Sequence, residues 1–137
     1  VISSEAPHLS GVNIRHEPWS EADESRLVSD CDVGVMPLPD EPWTRGKCGL
    51  KLLQYMACGL PSIASPVGVN TQIAQDGGVL LAESHQEWIE GIRRLRDPAR
   101  RQQMGGDARR SVETQWSLQA WVEQVAELYQ RLGVGHA

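Results

Sequence analysis

Gly46-Lys47-Cys48-Gly49-Leu50-Lys51-Leu52-Leu53-Gln54-Tyr55-Met56-Ala57-Cys58-Gly59-Leu60-Pro61 reads as one helix with a wide apolar arc and a narrow polar stripe. At roughly 100° per residue, Lys47, Lys51 and Gln54 share one side, at positions i, i+4 and i+7. Leu50, Leu52, Leu53, Met56 and Ala57 cover the rest, so the helix is expected to be mostly buried. Two lysines and an amide on a buried helix need a reason. A ligand with anionic and hydroxyl groups, lying along the N-terminal turns, supplies one. Gly59 is a natural C′ residue, and Pro61 beyond it ends the helix.

Working outward, the pattern alternates short apolar strands with helices, which predicts an α/β fold: a Rossmann-like parallel sheet with flanking helices. Residues 13–17 form a weak strand. Ser20-Glu21-Ala22-Asp23 resembles a capping box opening a helix to about Ser29. Residues 32–39, Asp-Val-Gly-Val-Met-Pro-Leu-Pro, form the best strand, continuous in apolar character as expected when both faces are covered. Residues 40–46 read as a polar loop containing Pro42 and Trp43. After the central helix come a short strand at 61–65, a turn at 65–68, a short helix capped by Asn70 and a strand at 79–82. Ser84 with Glu87 makes a capping box, Asp97-Pro98 starts another helix with Pro at its first position, and Ser117 caps a last amphipathic helix.

The chain has 137 residues, the size of one domain, with 40% hydrophobic and 23% charged residues. Net charge is −5 and the isoelectric point is near 5.3, which argues against a general nucleic-acid binder. Cys31, Cys48 and Cys58 lack metal spacing and sit among apolar residues, which predicts buried free thiols in a reducing compartment. No signal peptide, lipidation motif or long apolar span is visible. The first residue is Val, consistent with a piece of something longer.

Ligands of such sheets bind at the carboxyl ends of the strands. That gathers the 37–46 loop, the N-terminus of the Lys47 helix, the Ser65-Pro66-Val67-Gly68 turn and the start of the Asn70 helix around one crevice. Unpaired N–H groups and the helix dipole near Lys47 favour phosphate. Gly46 and Gly49 allow a ligand close to the backbone. Gln54, about two turns in, is placed for sugar or ribose hydroxyls. The competing reading is a surface helix edge with two solvated lysines. For the loop carrying Asp40, Glu41, Trp43 and Arg45, a flexible polar loop is preferred. His8, His16, His85 and His136 show no metal spacing and read as surface residues. Trp88, Trp116 and Trp121 fall on helical core faces and read as packing. The arginines at 93, 94, 96, 100 and 101 read as a solvated helix face. No GxGxxG, Walker loop or nucleophile elbow is present.

Residues 32–68 resemble the C-terminal, donor-binding domain of retaining GT-B glycosyltransferases of family 4, the "glycosyl transferases group 1" type. The matching words are Asp32 to Leu38, the block from Gly46 to Ser65, and Pro66-Val67-Gly68. Gly77-Gly78-Val79-Leu80-Leu81, Trp88 and Met104-Gly105 look like the family's tail, so the resemblance spans nearly the whole chain. The family's helix carries paired glutamates, E-x7-E, of which the first approaches the donor sugar and the second holds the nucleotide ribose. Here Gly46 and Gln54 stand at those places, with Lys47 and Lys51 nearby. Gln54 can still bond ribose hydroxyls, without charge assistance.

The resemblance implies the donor-binding part of an enzyme that moves a sugar, with retention, from a nucleotide diphosphate to an acceptor. The backbone of Gly46, Lys47, Cys48, Gly49 and Leu50 would take the diphosphate and sugar, Lys47 or Lys51 the charge, Gln54 the ribose, and Gly68 would border the sugar. No cofactor or metal is implied, and catalysis rests on positioning and stabilisation of the leaving diphosphate. The family's opening strand, glycine-rich turn and helix, with its diphosphate-clamping Arg and Lys, are not in this chain. Residues 1–137 are therefore expected to be a single, N-terminally truncated donor domain, the C-terminal half of a GT-B fold, without its acceptor-binding partner domain and inactive alone. Cytoplasmic location is implied, with peripheral contact to the membrane face open to the parent protein. The alternative function is a non-catalytic nucleotide-binding module, degenerate in its motif and dependent on a partner.

Overall fold

A computed structural model of the chain describes residues 1–8 and 10–133. Five short strands, all paired in parallel, form two separate sheets. β1 (Ile2–Ser3) pairs with β2 (Glu17–Pro18). β3 (Gly34–Met36), β4 (Ser62–Ala64) and β5 (Val79–Leu81) make the second sheet, in the order β3-β4-β5. The helices are α1 (Glu24–Ser29), α2 (Pro42–Arg45), α3 (Leu50–Ala57), α4 (Asn70–Ile73), α5 (His85–Arg94), α6 (Pro98–Ser111) and α7 (Leu118–Arg131). The α/β class read from the sequence holds, with helices flanking parallel sheets.

The core explains why α3 stands where it does. Leu52 and Met56, one turn apart, are fully buried against Met36, Ala64, Ile73, Val79 and Ala108. Complete burial of each such side chain contributes about 1.5–3 kcal/mol. Beyond α3, Gly59 adopts φ +70°. The Leu60 N–H then reaches the Tyr55 carbonyl at 3.0 Å and the Gly59 N–H the Met56 carbonyl at 2.9 Å, a Schellman stop. Three other helix starts follow their local chemistry. Ser84 Oγ accepts from the Glu87 N–H while Glu87 Oε2 accepts from the Ser84 N–H. Asp97 and Ser117 cap α6 and α7.

Several expectations are corrected. α3 begins at Leu50, not Lys47, because Gly49 is left-handed at φ +69° and breaks the helical path. Its burial is partial, since Leu50 is 58% exposed. The 40–46 loop contains α2, whose Thr44 hydroxyl donates to the Pro39 carbonyl at 2.5 Å and accepts from the Glu41 N–H. Strand β2 falls at the end of the 13–17 segment rather than along it. Asn70 does not cap α4 but lies within it, buried, donating to the Ser65 carbonyl. β3 is an edge strand, so Val35 is 47% exposed rather than covered on both sides. Cys31 and Cys48 are exposed and Cys58 half-buried, all three as free thiols. Trp121 is exposed, its indole N–H donating to the Gln115 carbonyl, and the other large apolar residues of α7, Leu118, Val122, Val125, Leu128 and Tyr129, are exposed too. Arg101 is not a solvated side chain: it bridges Asp32 at 3.1 Å and donates to the Leu95 and Arg96 carbonyls. His136 lies outside the described residues.

Candidate functional site

A cleft of about 580 Å³ opens beyond the carboxyl end of β3. Residues 35–38 form one wall, and residues 46–51 with Tyr55 form the other. The first wall is fixed by the Leu38 N–H, which donates to the buried Ser65 hydroxyl at 2.9 Å. The second is fixed by Gly49. A Cβ there would stand 2.5 Å from Ile73 Cδ1, so core packing and the left-handed backbone both require glycine. The turn it makes leaves the N–H groups of Gly49, Leu50 and Lys51 without acceptors among the described residues, since the first α3 bonds run from Leu52 and Leu53 to the Gly49 carbonyl. No side chain caps these donors. Donors of this kind, with the positive end of the helix dipole behind them, favour an anion.

Charge reinforces the geometry. The chain contains only two lysines, Lys47 and Lys51, and both line this cleft. Every ion pair among the described residues is made by an arginine, so neither lysine is neutralised by a carboxylate within 4 Å. Two uncompensated ammonium groups beside free backbone donors suit a polyanion such as a diphosphate. Next to them, Arg45 grips Asp40 through both guanidinium edges at 2.6 and 2.9 Å, which holds the Asp40 carboxyl below its usual range. That pair ties off the charge of α2 and keeps Asp40 from competing for the lysines.

Of the residues expected at the site, Gly46, Lys47, Cys48, Gly49, Leu50 and Lys51 come together here. Lys47 does so from a turn, its N–H bonded to the Thr44 carbonyl, rather than from the helix. Gly68 does not line the cleft. It packs under the α2 backbone, where a Cβ would approach the Arg45 carbonyl oxygen to 2.6 Å. Gln54 does not line it either. It belongs to a second cavity of about 370 Å³ between β1 and β3, which shares Val35, Lys51 and Tyr55 with the first. The two cavities thus adjoin along these three residues.

Sequence reasoning missed two residues that line these cavities. Tyr55 lies on both cavities, and burial pushes its phenol pKa up, so the hydroxyl stays protonated. Glu24, from the first turn of α1, accepts from Gln54 Nε2 at 3.0 Å. Thirty residues separate that pair, and no spacing rule connects them. The only signal available was that Glu24 opens a helix that follows a strand. Among the described residues no three His, Cys, Asp or Glu side chains gather as a metal site would require, and no helix is long and apolar enough to cross a membrane.

Comparison with known proteins agrees with the geometry. Residues 5–97 match the family model described as glycosyl transferases group 1. The chain is 30% identical to the D-inositol 3-phosphate glycosyltransferase of Arthrobacter sp. (strain FB24), over 96% of this chain and 33% of that protein. Among solved structures it is similar to sucrose-phosphate synthase from Thermosynechococcus elongatus, a GT-B protein, with a TM-score of 0.68 at 28% identity. That match covers 89% of this chain and 31% of the synthase. The chain therefore spans about a third of each.

Proposed function

The chain belongs to the glycosyl transferases group 1 family, and from that premise we propose that it is the donor-binding part of a retaining glycosyltransferase acting on a nucleotide diphosphate hexose. The observation that carries this reading is that the only two lysines, both without carboxylate partners among the described residues, line the same cleft as Gly49, Leu50 and Lys51, whose N–H groups have no acceptor among those residues. In this reading the diphosphate lies across those donors, and Lys47 and Lys51 stabilise the charge that grows as the glycosidic bond breaks. Lysine charge and helix dipole do the work without a metal ion or cofactor. The nucleoside extends from the cleft toward Gln54, and Gly46, where a Cβ would meet nothing closer than 3.6 Å, borders the sugar.

The partner domain that presents the acceptor lies outside this chain, and the chain alone holds donor without turning it over. The parent works in the cytoplasm, in peripheral contact with the membrane face. We further infer that a parallel strand outside this chain fits between β1 and β3. In the β3–β4 register Gly34 and Met36 bond β4, which turns the Val35 N–H and carbonyl to the other side. Ile2 is turned away from β2 by the same logic, and both residues line the cavity between the sheets.

The test is a thermal-shift screen of the full-length protein with UDP, GDP and ADP and their hexose derivatives. One nucleotide series is expected to raise Tm, more so with the sugar attached, and Lys51→Ala to cancel the rise. No shift with any of them would overturn the reading.

A further inference from the structure

We propose that Ile89, Ile92 and Arg93 on the outer flank of α5, continued by Arg96 and by Arg100 of α6, seat the parent protein on an anionic lipid surface. The inference rests on the peripheral contact proposed above, whose surface it names, and not on the donor cleft. Five arginines stand between positions 93 and 101. Two of them are committed within the chain. Arg94 pairs with Glu90 at 3.1 Å, and Arg101 holds Asp32 and the Leu95 and Arg96 carbonyls. Arg93, Arg96 and Arg100 are exposed and enter no ion pair among the described residues. Beside them Ile89 and Ile92 are 45% and 54% exposed.

Packing fixes which way this flank faces. Trp88 and Leu95 pack with Ile63, and a Cβ at Gly91 would stand 3.1 Å from Ile63 Cδ1, so these three residues turn inward. At about 100° per residue, His85, Ile89, Ile92 and Arg93 then share one exposed flank, at i, i+4, i+7 and i+8. Glu87, Glu90 and Arg94 share the other. Glu87 accepts from the Glu83 and Ser84 N–H groups, and Glu90 holds Arg94, so the isoleucine flank carries no carboxylate of α5. Asp97, which follows Arg96, accepts from the Ala99 N–H. Arginine lays its stem along apolar surface and keeps its guanidinium at the polar boundary. Arginine beside isoleucine therefore suits a layer with phosphates outside and acyl chains beneath. The phosphates of a nucleic acid would leave the isoleucines without a partner. The exposed apolar face of α7 differs in charge, because that helix carries Glu123 and Glu127 with Arg131 as its one basic residue. The chain's net charge of −5 opposes the contact only weakly, since charges beyond about 8 Å are screened at physiological salt.

The experiment is co-sedimentation of the full-length protein with two kinds of vesicle, phosphatidylcholine alone and phosphatidylcholine mixed with an equal part of phosphatidylglycerol. The wild type should partition onto the mixed vesicles, not onto the neutral ones, and be released as salt rises. Arg93→Gln with Arg96→Gln and Arg100→Gln should lower the partition coefficient about a hundredfold, each basic residue near such a surface contributing about fivefold. Ile89→Ser with Ile92→Ser should lower it about tenfold. Tm and nucleotide affinity should stay at the wild-type values in both variants, because the five residues are exposed and none lines the cleft. Partitioning unchanged by the arginine substitutions would overturn the inference. Loss with the arginine substitutions but not with the isoleucine ones would overturn it too, as the behaviour of a site for an acidic protein or a nucleic acid. A wild type that binds neither vesicle would overturn the membrane contact as well, and nucleotide binding by the same sample would leave the donor reading standing.

Discussion

The ring of Tyr55 lies over the Cα of Gly34, in the space that a side chain at position 34 would fill. This contact seats α3 on β3 and sets the shared wall of the two cavities. Gly34→Ala would press a methyl group into the ring and the Ser62 hydroxyl. Overpacking of this kind costs about 1–3 kcal/mol. Urea unfolding should show a lower midpoint with an unchanged slope, and nucleotide binding should weaken as Tyr55 shifts.

Gly46 and Gly49 should part company. Gly46 has φ −80°, and a Cβ there would meet nothing closer than 3.6 Å. Gly46→Ala should therefore leave Tm within a degree or two of wild type, since exposed, unstrained changes stay within about 0.5 kcal/mol. Its effect should fall on the nucleotide sugar, whose affinity drops while that of the bare nucleoside diphosphate is kept. Gly49→Ala adds the left-handed penalty of about 1–2 kcal/mol to the clash with Ile73 and should lose stability first.

Glu87 makes part of the stability pH-dependent. Backbone N–H groups of Ser84 and Glu83 hold its carboxyl below the ordinary glutamate range. A depressed folded-state pKa gives stability that is present above the unfolded value and lost as pH falls through the folded one. Glu87→Gln should therefore lower Tm at pH 7 and flatten the fall in Tm between about pH 5 and 3. An equally steep acid limb in the variant would contradict the assignment.

The strand inferred between the sheets has its own reporter. The Val35 amide faces the cavity rather than β4. In the full-length protein its hydrogen exchange should be slow, as in a paired strand, whereas in residues 1–137 alone it should be fast. Fast exchange in both would remove the strand.

Local chemistry was legible in the sequence wherever the determinants were local. The Schellman stop at Gly59, the Ser84–Glu87 box, and the Asp97 and Ser117 caps involve residues within five positions of each other. The start of α3 was not legible. Helical periodicity runs back to Lys47 without a break, and only the approach of Ile73, far along the chain, demands the left-handed Gly49. The same limit applies to α2, anchored through Thr44 on Pro39, and to Val35, whose exposure follows from its edge position. At the site, the pairing of Lys47 and Lys51 was visible as spacing, although the correct cause is a turn rather than a helical stripe. Gln54 was visible too, but its partner Glu24 comes from a separate helix and left no pattern to read.

The central claim is that the anion site stands at Lys47 and Lys51, and calorimetry of the full-length protein with its preferred nucleoside diphosphate tests it most directly. Lys47→Ala with Lys51→Ala should weaken binding by about a hundredfold and flatten its salt dependence, with Tm in the absence of ligand unchanged. Unchanged affinity and salt dependence in that double variant would place the diphosphate elsewhere and contradict the account.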